Sequence, residues 1–262
     1  MKNKQKKITL IIPCYNEEKG IGKVIGSIPK KKLRSMGYKI DIIVIDNNSK
    51  DKTSIIAAEH GAKVLFEPNQ GKGKAVLTGF KNVPRDTDIV VMIDGDNSYQ
   101  ATELLRIIEP IDNGFCDVVI GSRLSGKLMK HSMPYFNRLG NWFFTFLVRV
   151  FYSGNVTDVC TGYFAWKREV VEELAKYICS NGFTLEMEMI TKMARMNYNI
   201  SSVPITYEVR EGNSSLMPLK EGYKILMTWT EHLFWKPQCF DAPQMQVNEI
   251  LIENLNKTKK VA

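Results

Sequence analysis

Asp94 and Asp96 stand two residues apart, directly after the apolar run Val90-Val91-Met92-Ile93. In an extended segment residues i and i+2 point to the same side, so both carboxylates can face one hard cation at the end of a strand. Gly95 removes bulk between them. A solvated Asp-Gly turn is the alternative, but two unneutralised carboxylates closing a buried strand repel each other unless a metal or a proton intervenes. Asp46 closes a second β-branched run and is followed by Asn48 and Asp51. It is suited either to an Asx turn or to a ligand's hydroxyl and N–H groups. Asn69-Gln70-Gly71-Lys72-Gly73-Lys74 is a glycine-rich turn entering a helix, able to bring backbone N–H groups and a cation to an anion. It has neither P-loop nor G-x-G-x-x-G spacing.

These groups need a frame, and the hydropathy pattern supplies one. Continuous apolar or β-branched runs at 8–13, 40–45, 62–66, 89–93 and 117–120 read as strands. Helical spacing at 17–28, 52–60, 74–82 and 101–111 alternates with them. Strands alternating with helices of this length predict an α/β fold on a parallel sheet. Ligands bind beyond the carboxyl ends of such strands, so the loops 13–18, 46–51 and 94–98 are expected to share one crevice. From residue 134 the alternation breaks: 134–152 and 184–196 read as helices, 203–209 as an edge strand and 223–235 as a last helix. A loose tail is expected after Pro237.

The chain has 262 residues, with 36 Lys and Arg against 28 Asp and Glu, a formal charge of +8 that favours anionic partners. At 44% hydrophobic and 24% charged it is neither disordered nor collagen-like. Cys14, Cys116, Cys160, Cys179 and Cys239 never form a C-x-x-C pair, which argues against a disulfide framework or a cysteine zinc site and for a cytoplasmic location. The basic start lacks the apolar stretch of a signal peptide, and no window is long and apolar enough to span a bilayer. His60, His131 and His232 form no local metal motif. The lysines lack the aromatic interleaving of a single-strand binder, so no nucleic acid partner is expected.

Pro13-Cys14-Tyr15-Asn16-Glu17-Glu18, Asp46-Asn47-Asn48-Ser49-Lys50-Asp51, Gly71-Lys72-Gly73 and Asp94-Gly95-Asp96 occur in this order at matching strand ends. The pattern resembles the inverting nucleotide-sugar glycosyltransferases of family 2, with the GT-A fold. Gly121-Ser122-Arg123-Leu124, the block from Asp158 through Gly162 to Arg168, Gly182-Phe183 to Glu188, and Val203-Pro204-Ile205 to Arg210 and Ser214 are similar to the polyprenyl-phosphate (dolichyl-phosphate) mannosyl- and glucosyltransferase branch. The resemblance covers about residues 8 to 216. It implies a GT-A catalytic domain over 1–216, with a C-terminal amphipathic helix and tail over 217–262.

By that resemblance Pro13, Tyr15, Glu17 and Asp46 hold the nucleoside, with Asn48, Gly71 and Lys72 on the same donor side. Asp94 and Asp96 flank a Mg²⁺ or Mn²⁺ on the diphosphate. A UDP-sugar is the preferred donor, GDP-mannose the alternative. Arg123, Arg138 and Arg210 fall in blocks similar to the acceptor side of the lipid-phosphate enzymes, and guanidinium groups suit a phosphate. Asp158 and Glu188 are the candidate carboxylates, either as base for a hydroxyl acceptor or as orienters of an arginine. One departure is Ser214-Ser215-Leu216, where the branch usually has Ser-Lys-Leu, with Lys220 as a substitute cation. Another is the lack of the transmembrane helices that many relatives carry. The aromatic segments 142–152 and 223–235 are expected to lie in the headgroup plane as a peripheral membrane contact; burial against the sheet or a homo-oligomer seam is the alternative.

Overall fold

The structure is a computed structural model and describes residues 5–152, 155–212 and 217–237. In chain order the elements are β1 (Lys6–Cys14), α1 (Ile21–Ser27), α2 (Lys30–Ser35), β2 (Tyr38–Asp46), α3 (Thr53–Glu59), β3 (Lys63–Phe66), α4 (Lys72–Lys81) and β4 (Ile89–Met92). After one 3₁₀ turn at Ala101–Glu103 come α5 (Leu104–Asp112), β5 (Val118–Leu128), α6 (Tyr135–Tyr152), β6 (Phe164–Lys167), α7 (Arg168–Leu174), α8 (Leu185–Arg195), β7 (Ile200–Tyr207) and α9 (Pro218–His232).

The seven strands form one sheet in the order β3-β2-β1-β4-β6-β5-β7, parallel except for β6, which runs against both of its neighbours. This is the α/β architecture expected. Both faces of the sheet are covered, which is why the strands read as unbroken apolar runs. Ile8, Leu10 and Ile12 of β1 pack into a core with α1, α2 and α5, whereas Ile11 points into the opposite core with α4, α6, α7, α8 and α9. These four side chains are essentially inaccessible, and each contributes about 1.5–3 kcal/mol by leaving water.

The register sets the crevice. Cys14 lies beside Asp46, and Ile11 beside Met92, so β1, β2 and β4 end at one edge. Each of the three expected loops then turns on an asparagine in the left-handed region: Asn16 (φ 56°), Asn48 (φ 64°) and Asn97 (φ 60°). Asparagine reaches that region more readily than other side-chain-bearing residues, so the chain doubles back there without a glycine.

Several elements differ from expectation. The short strand β6 and the short helices α2 and α7 were not anticipated; four to seven residues carry too little periodicity to register, and α2 buries only Leu33. Strand β5 runs on to Leu128, beyond its apolar part, because its polar half pairs with β7 across an irregularity between Ser122 and Lys127. The last helix starts at Pro218, whose fixed φ suits a first turn, and ends at His232. Among the described residues no helix is long and apolar enough to cross a membrane.

Candidate active site

Beyond the ends of β1, β2 and β4 lies a carboxylate-rich cleft of about 630 Å³, bordered by Pro13, Tyr15, Glu17, Asn47, Gly71, Lys72, Asp94 and Asp96. Its walls are laced together by side chain to backbone hydrogen bonds. Lys50 N–H donates to Asn16 Oδ1 (2.8 Å), Glu17 N–H to Thr53 Oγ1 (2.8 Å) and Glu18 N–H to Asp51 Oδ2 (3.1 Å).

Two expected donor residues are placed differently. Asp46 is buried and accepts from Ser49 N–H (3.0 Å) and the Ser54 hydroxyl, so it builds the turn and does not border the cleft. Asn48 is exposed and also stays off the cleft, its side chain 3.5 Å from the Pro68 carbonyl. Their neighbour Asn47, which was not singled out, does border it. The Asn47 amide donates to the carbonyls of Glu67 (3.1 Å) and Asn69 (2.7 Å), and its oxygen accepts Gly71 N–H (2.7 Å). Asn47 thus clamps the glycine-rich turn to the end of β2.

Lys72, the first residue of α4, ties the cleft together: its ammonium lies 2.8 Å from Asp94 Oδ1 and 2.7 Å from Glu186 Oε1. Burial acts to lower the Lys72 pKa, but the charges of Asp94 and Glu186 outweigh it and hold the ammonium above the ordinary lysine range. Asp96 accepts from Ser98 N–H (3.0 Å) and Oγ (2.5 Å), and Arg210 Nε lies 3.5 Å from its other oxygen. Arg210 also reaches Glu17 Oε1 at 3.2 Å. Glu186, which was not anticipated as a site residue, stands on the helix expected at 184–196.

Glu17, Asp94, Asp96 and Glu186 are thus four carboxyl groups around two cationic side chains. The imbalance shows in Glu17: burial first, then the charge of Asp96, push its carboxyl up to about 8 despite Arg210. Asp96 is raised by burial and by Asp94. No cluster of three or more His, Cys, Asp or Glu is arranged for a metal among the described residues. The chain therefore offers a pair of hard oxygen donors in a site of excess negative charge. This set fits a divalent cation that takes its remaining ligands from phosphate oxygens and water, as Mg²⁺ commonly does.

A second, largely apolar cavity of about 750 Å³ opens between α6 and α9 and shares Lys72, Asp94, Asp96, Phe183 and Arg210 with the cleft. Arg123 lines it from the irregular stretch of β5. Its guanidinium donates to both Asp158 oxygens at 2.8 Å and to the Cys160 carbonyl at 2.5 Å, and lies 5.1 Å from the centre of the Tyr207 ring. Asp158 is fully buried and also accepts Arg123 N–H (2.8 Å) and the Asn141 amide (2.7 Å). With two donors on each of its oxygens, Asp158 holds Arg123 in place, the arrangement expected of an orienter of an arginine.

Two further expectations are corrected by position. Arg138 is exposed on α6 and borders neither cavity. Glu188 is buried behind the site, paired with Lys192 at 2.6 Å, and also borders neither. Its neighbour on α8, Glu186, does line the second cavity, together with Asp94, Asp96 and Glu221. Lys220 is exposed and does not line it, and Ser214-Ser215-Leu216 lie outside the described residues.

The description Glycosyl transferase family 2 matches residues 9–175. The chain is 33% identical over 218 residues to the low-salt glycan biosynthesis hexosyltransferase Agl6 of Haloferax volcanii, covering 83% of this chain and 51% of that one. It therefore spans about half the length of that relative. It is 32% identical to a dolichyl-phosphate hexose transferase of the same organism, over 83% of this chain and 90% of that one. Among solved structures, glucosyl-3-phosphoglycerate synthase of Mycobacterium tuberculosis, in complex with Mn²⁺, UDP and glucosyl-3-phosphoglycerate, superposes with a TM-score of 0.67 at 22% identity, over 87% of this chain and 80% of that one. The likeness shows the shared GT-A fold. With the family match running from the first strand through the acidic pair to α7, the chain belongs to glycosyl transferase family 2.

Proposed function

We propose that this glycosyltransferase moves a single hexose or N-acetylhexosamine, with inversion, from a nucleotide sugar to polyprenyl (dolichyl) phosphate at the cytosolic membrane face. A UDP-sugar is the preferred donor and GDP-mannose the alternative. The catalytic unit of this reading is residues 1–216, with 217–262 appended. One observation carries it: a carboxylate-rich cleft meets a more apolar, arginine-bearing cavity at Asp94, Asp96, Lys72 and Arg210. A nucleotide diphosphate suits the first, and a lipid with an anionic head suits the second. The UDP and Mn²⁺ of the mycobacterial structure support the donor half, and the name of the archaeal dolichyl-phosphate enzyme supports the acceptor half.

Asp94 and Asp96 would hold Mg²⁺ or Mn²⁺, which when bound offsets charge on the departing diphosphate. Pro13, Tyr15, Glu17 and Asn47 border the nucleoside side, and Lys72 sets a fixed positive charge at the junction where the leaving group sits. An acceptor phosphate oxygen attacks the anomeric carbon on the face opposite the diphosphate. The new C1–O bond forms as the old one breaks, through an oxocarbenium-like state. A phosphate acceptor is already anionic at neutral pH, so no base has to remove a proton. Arg123, paired with Asp158, and Arg210 both line the second cavity and are the cations this reading assigns to it.

A hydroxyl acceptor is the second reading, and one observation favours keeping it: Glu186 is a carboxylate lining the acceptor cavity. Its pairing with Lys72 argues against its serving as a base. The test is a donor screen with Mn²⁺, with and without a short polyprenyl phosphate, read by which nucleoside diphosphate is released. Release that depends on polyprenyl phosphate is expected. Equal release with a free sugar in its place would favour the hydroxyl acceptor, and release of inorganic diphosphate would overturn both readings.

A further inference from the structure

Glu188 makes a set of contacts that neither cavity requires. It is 2% exposed; Oε1 accepts Cys179 N–H at 2.9 Å and the Lys192 ammonium at 2.6 Å, and Oε2 accepts Ser180 N–H at 2.8 Å. Lys192 is itself buried and donates to the Tyr177 carbonyl at 2.6 Å. Burial alone would raise the Glu188 carboxyl, but the ammonium and the two loop amides outweigh it and hold the group ionised below the ordinary glutamate range. One ion pair thus grips three consecutive peptide groups at the entry to residues 179–183.

The far side of that loop meets the glycine-rich turn. A Cβ at Gly73 would come 1.6 Å from the Ser180 carbonyl oxygen, and one at Gly71 2.5 Å from that of Asn181. Backbone therefore lies against backbone with no room for a side chain. Beyond this contact Asn181, Gly182 and Phe183 line the donor cleft, and Phe183 also lines the acceptor cavity.

We propose that the Glu188–Lys192 pair is a positioning device that seats loop 179–183 against the Gly71–Gly73 turn and so shapes the nucleotide-sugar site. It rests on the donor reading given above. A charged pair fits this task better than an apolar one, because the loop amides need acceptors and a carboxylate with a fixed counter-charge offers two in set directions. Small misplacements of groups around a reacting centre cost about ten- to a hundredfold in rate or affinity.

The full chain is tested by calorimetric titration with UDP and with GDP in the presence of Mn²⁺, comparing the natural protein with Glu188→Gln and Lys192→Met. Nucleotide affinity about tenfold or more weaker in both variants, with the near-ultraviolet circular dichroism spectrum of the natural protein retained, is the expected result. A general loss of packing would collapse that spectrum as well. Unaltered nucleotide affinity overturns the proposal and leaves the donor reading standing. If the natural protein binds neither nucleotide, the donor reading falls and this inference with it. Hydrogen exchange on the natural protein gives an arm that no folding defect can obscure: the Cys179 and Ser180 amides are expected to be protected without nucleotide, and exchange at the rate of open loop amides would overturn the proposal.

Discussion

Gly162 lies far along the chain from the acidic pair yet controls it. A Cβ there would come 2.1 Å from Asp94 Oδ2, while the glycine's backbone lies outside the left-handed region. Alanine at 162 can thus keep the backbone path and still force the Asp94 carboxylate, the end of a short side chain, out of place. Gly162→Ala is expected to lower kcat by about a hundredfold and to weaken Mn²⁺ binding in the presence of UDP, with the urea midpoint nearly unmoved. Kinetics, titration and unfolding on one preparation separate these effects, and unaltered metal affinity would sink the link. At this scale the residue types were readable and their directions were not. Asp94 and Asp96 stood out because carboxylates closing an apolar run are costly unless neutralised. Asp46 and Asn47 are neighbours, however, and which one meets the cleft shows only in the folded contacts, Asp46 bonding Ser49 and Ser54 and Asn47 the glycine-rich turn. Glu186 and Glu188 are separated by about 200° around a helix, so only the packing of α8 settles which reaches the cavity.

Among the elements, α8 and α9 are joined by a buried polar contact: Thr191 Oγ1 and His232 Nδ1 lie 2.7 Å apart. The hydroxyl's single proton is engaged by the Met187 carbonyl at 2.7 Å, which assigns the ring proton to Nδ1. Burial, helped by the charge of Lys192 and opposed by Glu188, pushes His232 down to about 4. The folded value lies below the ordinary one of about 6.5, so the unfolded chain binds the extra proton first. The contribution is intact above pH 6.5 and is lost as pH falls toward 4. This group is expected to remove roughly 2–3 kcal/mol of stability over that window. Urea unfolding as a function of pH should show a shallower slope for His232→Asn, and parallel profiles would contradict it. Long elements such as α6 were legible because many residues share one period. Strand β6 was not, since Phe-Ala-Trp-Lys is too short to show one, and its place between β4 and β5 follows from pairing partners distant in the chain.

On the scale of the molecule, the largest unexplained feature is the outer face of α6 and α9. Trp142, Phe146, Leu139 and Tyr135 on α6, with Leu219 and Tyr223 on α9, are each more than half exposed, and the Trp142 and Phe146 rings stack at 6.0 Å. Contiguous apolar surface of this kind marks an interaction face. Of these residues Leu219 and Tyr223 also line the apolar cavity, and Arg138, Lys220 and Lys224 are exposed on the same two helices. The net charge of +8 adds long-range attraction to an anionic bilayer. On the lipid-acceptor reading proposed above, a bilayer held at this face would bring the acceptor to the cavity that Leu219 and Tyr223 line. Trp142→Glu with Phe146→Glu is expected to weaken binding to anionic phospholipid vesicles by about tenfold or more, from the lost apolar burial alone. Because both side chains lie outside the core, UDP affinity and unfolding midpoint should stay close to those of the natural protein. Flotation with vesicles of graded anionic lipid content, paired with sedimentation velocity, tests this directly. If the double variant instead converts a dimer to a monomer and floats as before, the face is a seam between copies, and the acceptor must reach the cavity by another route.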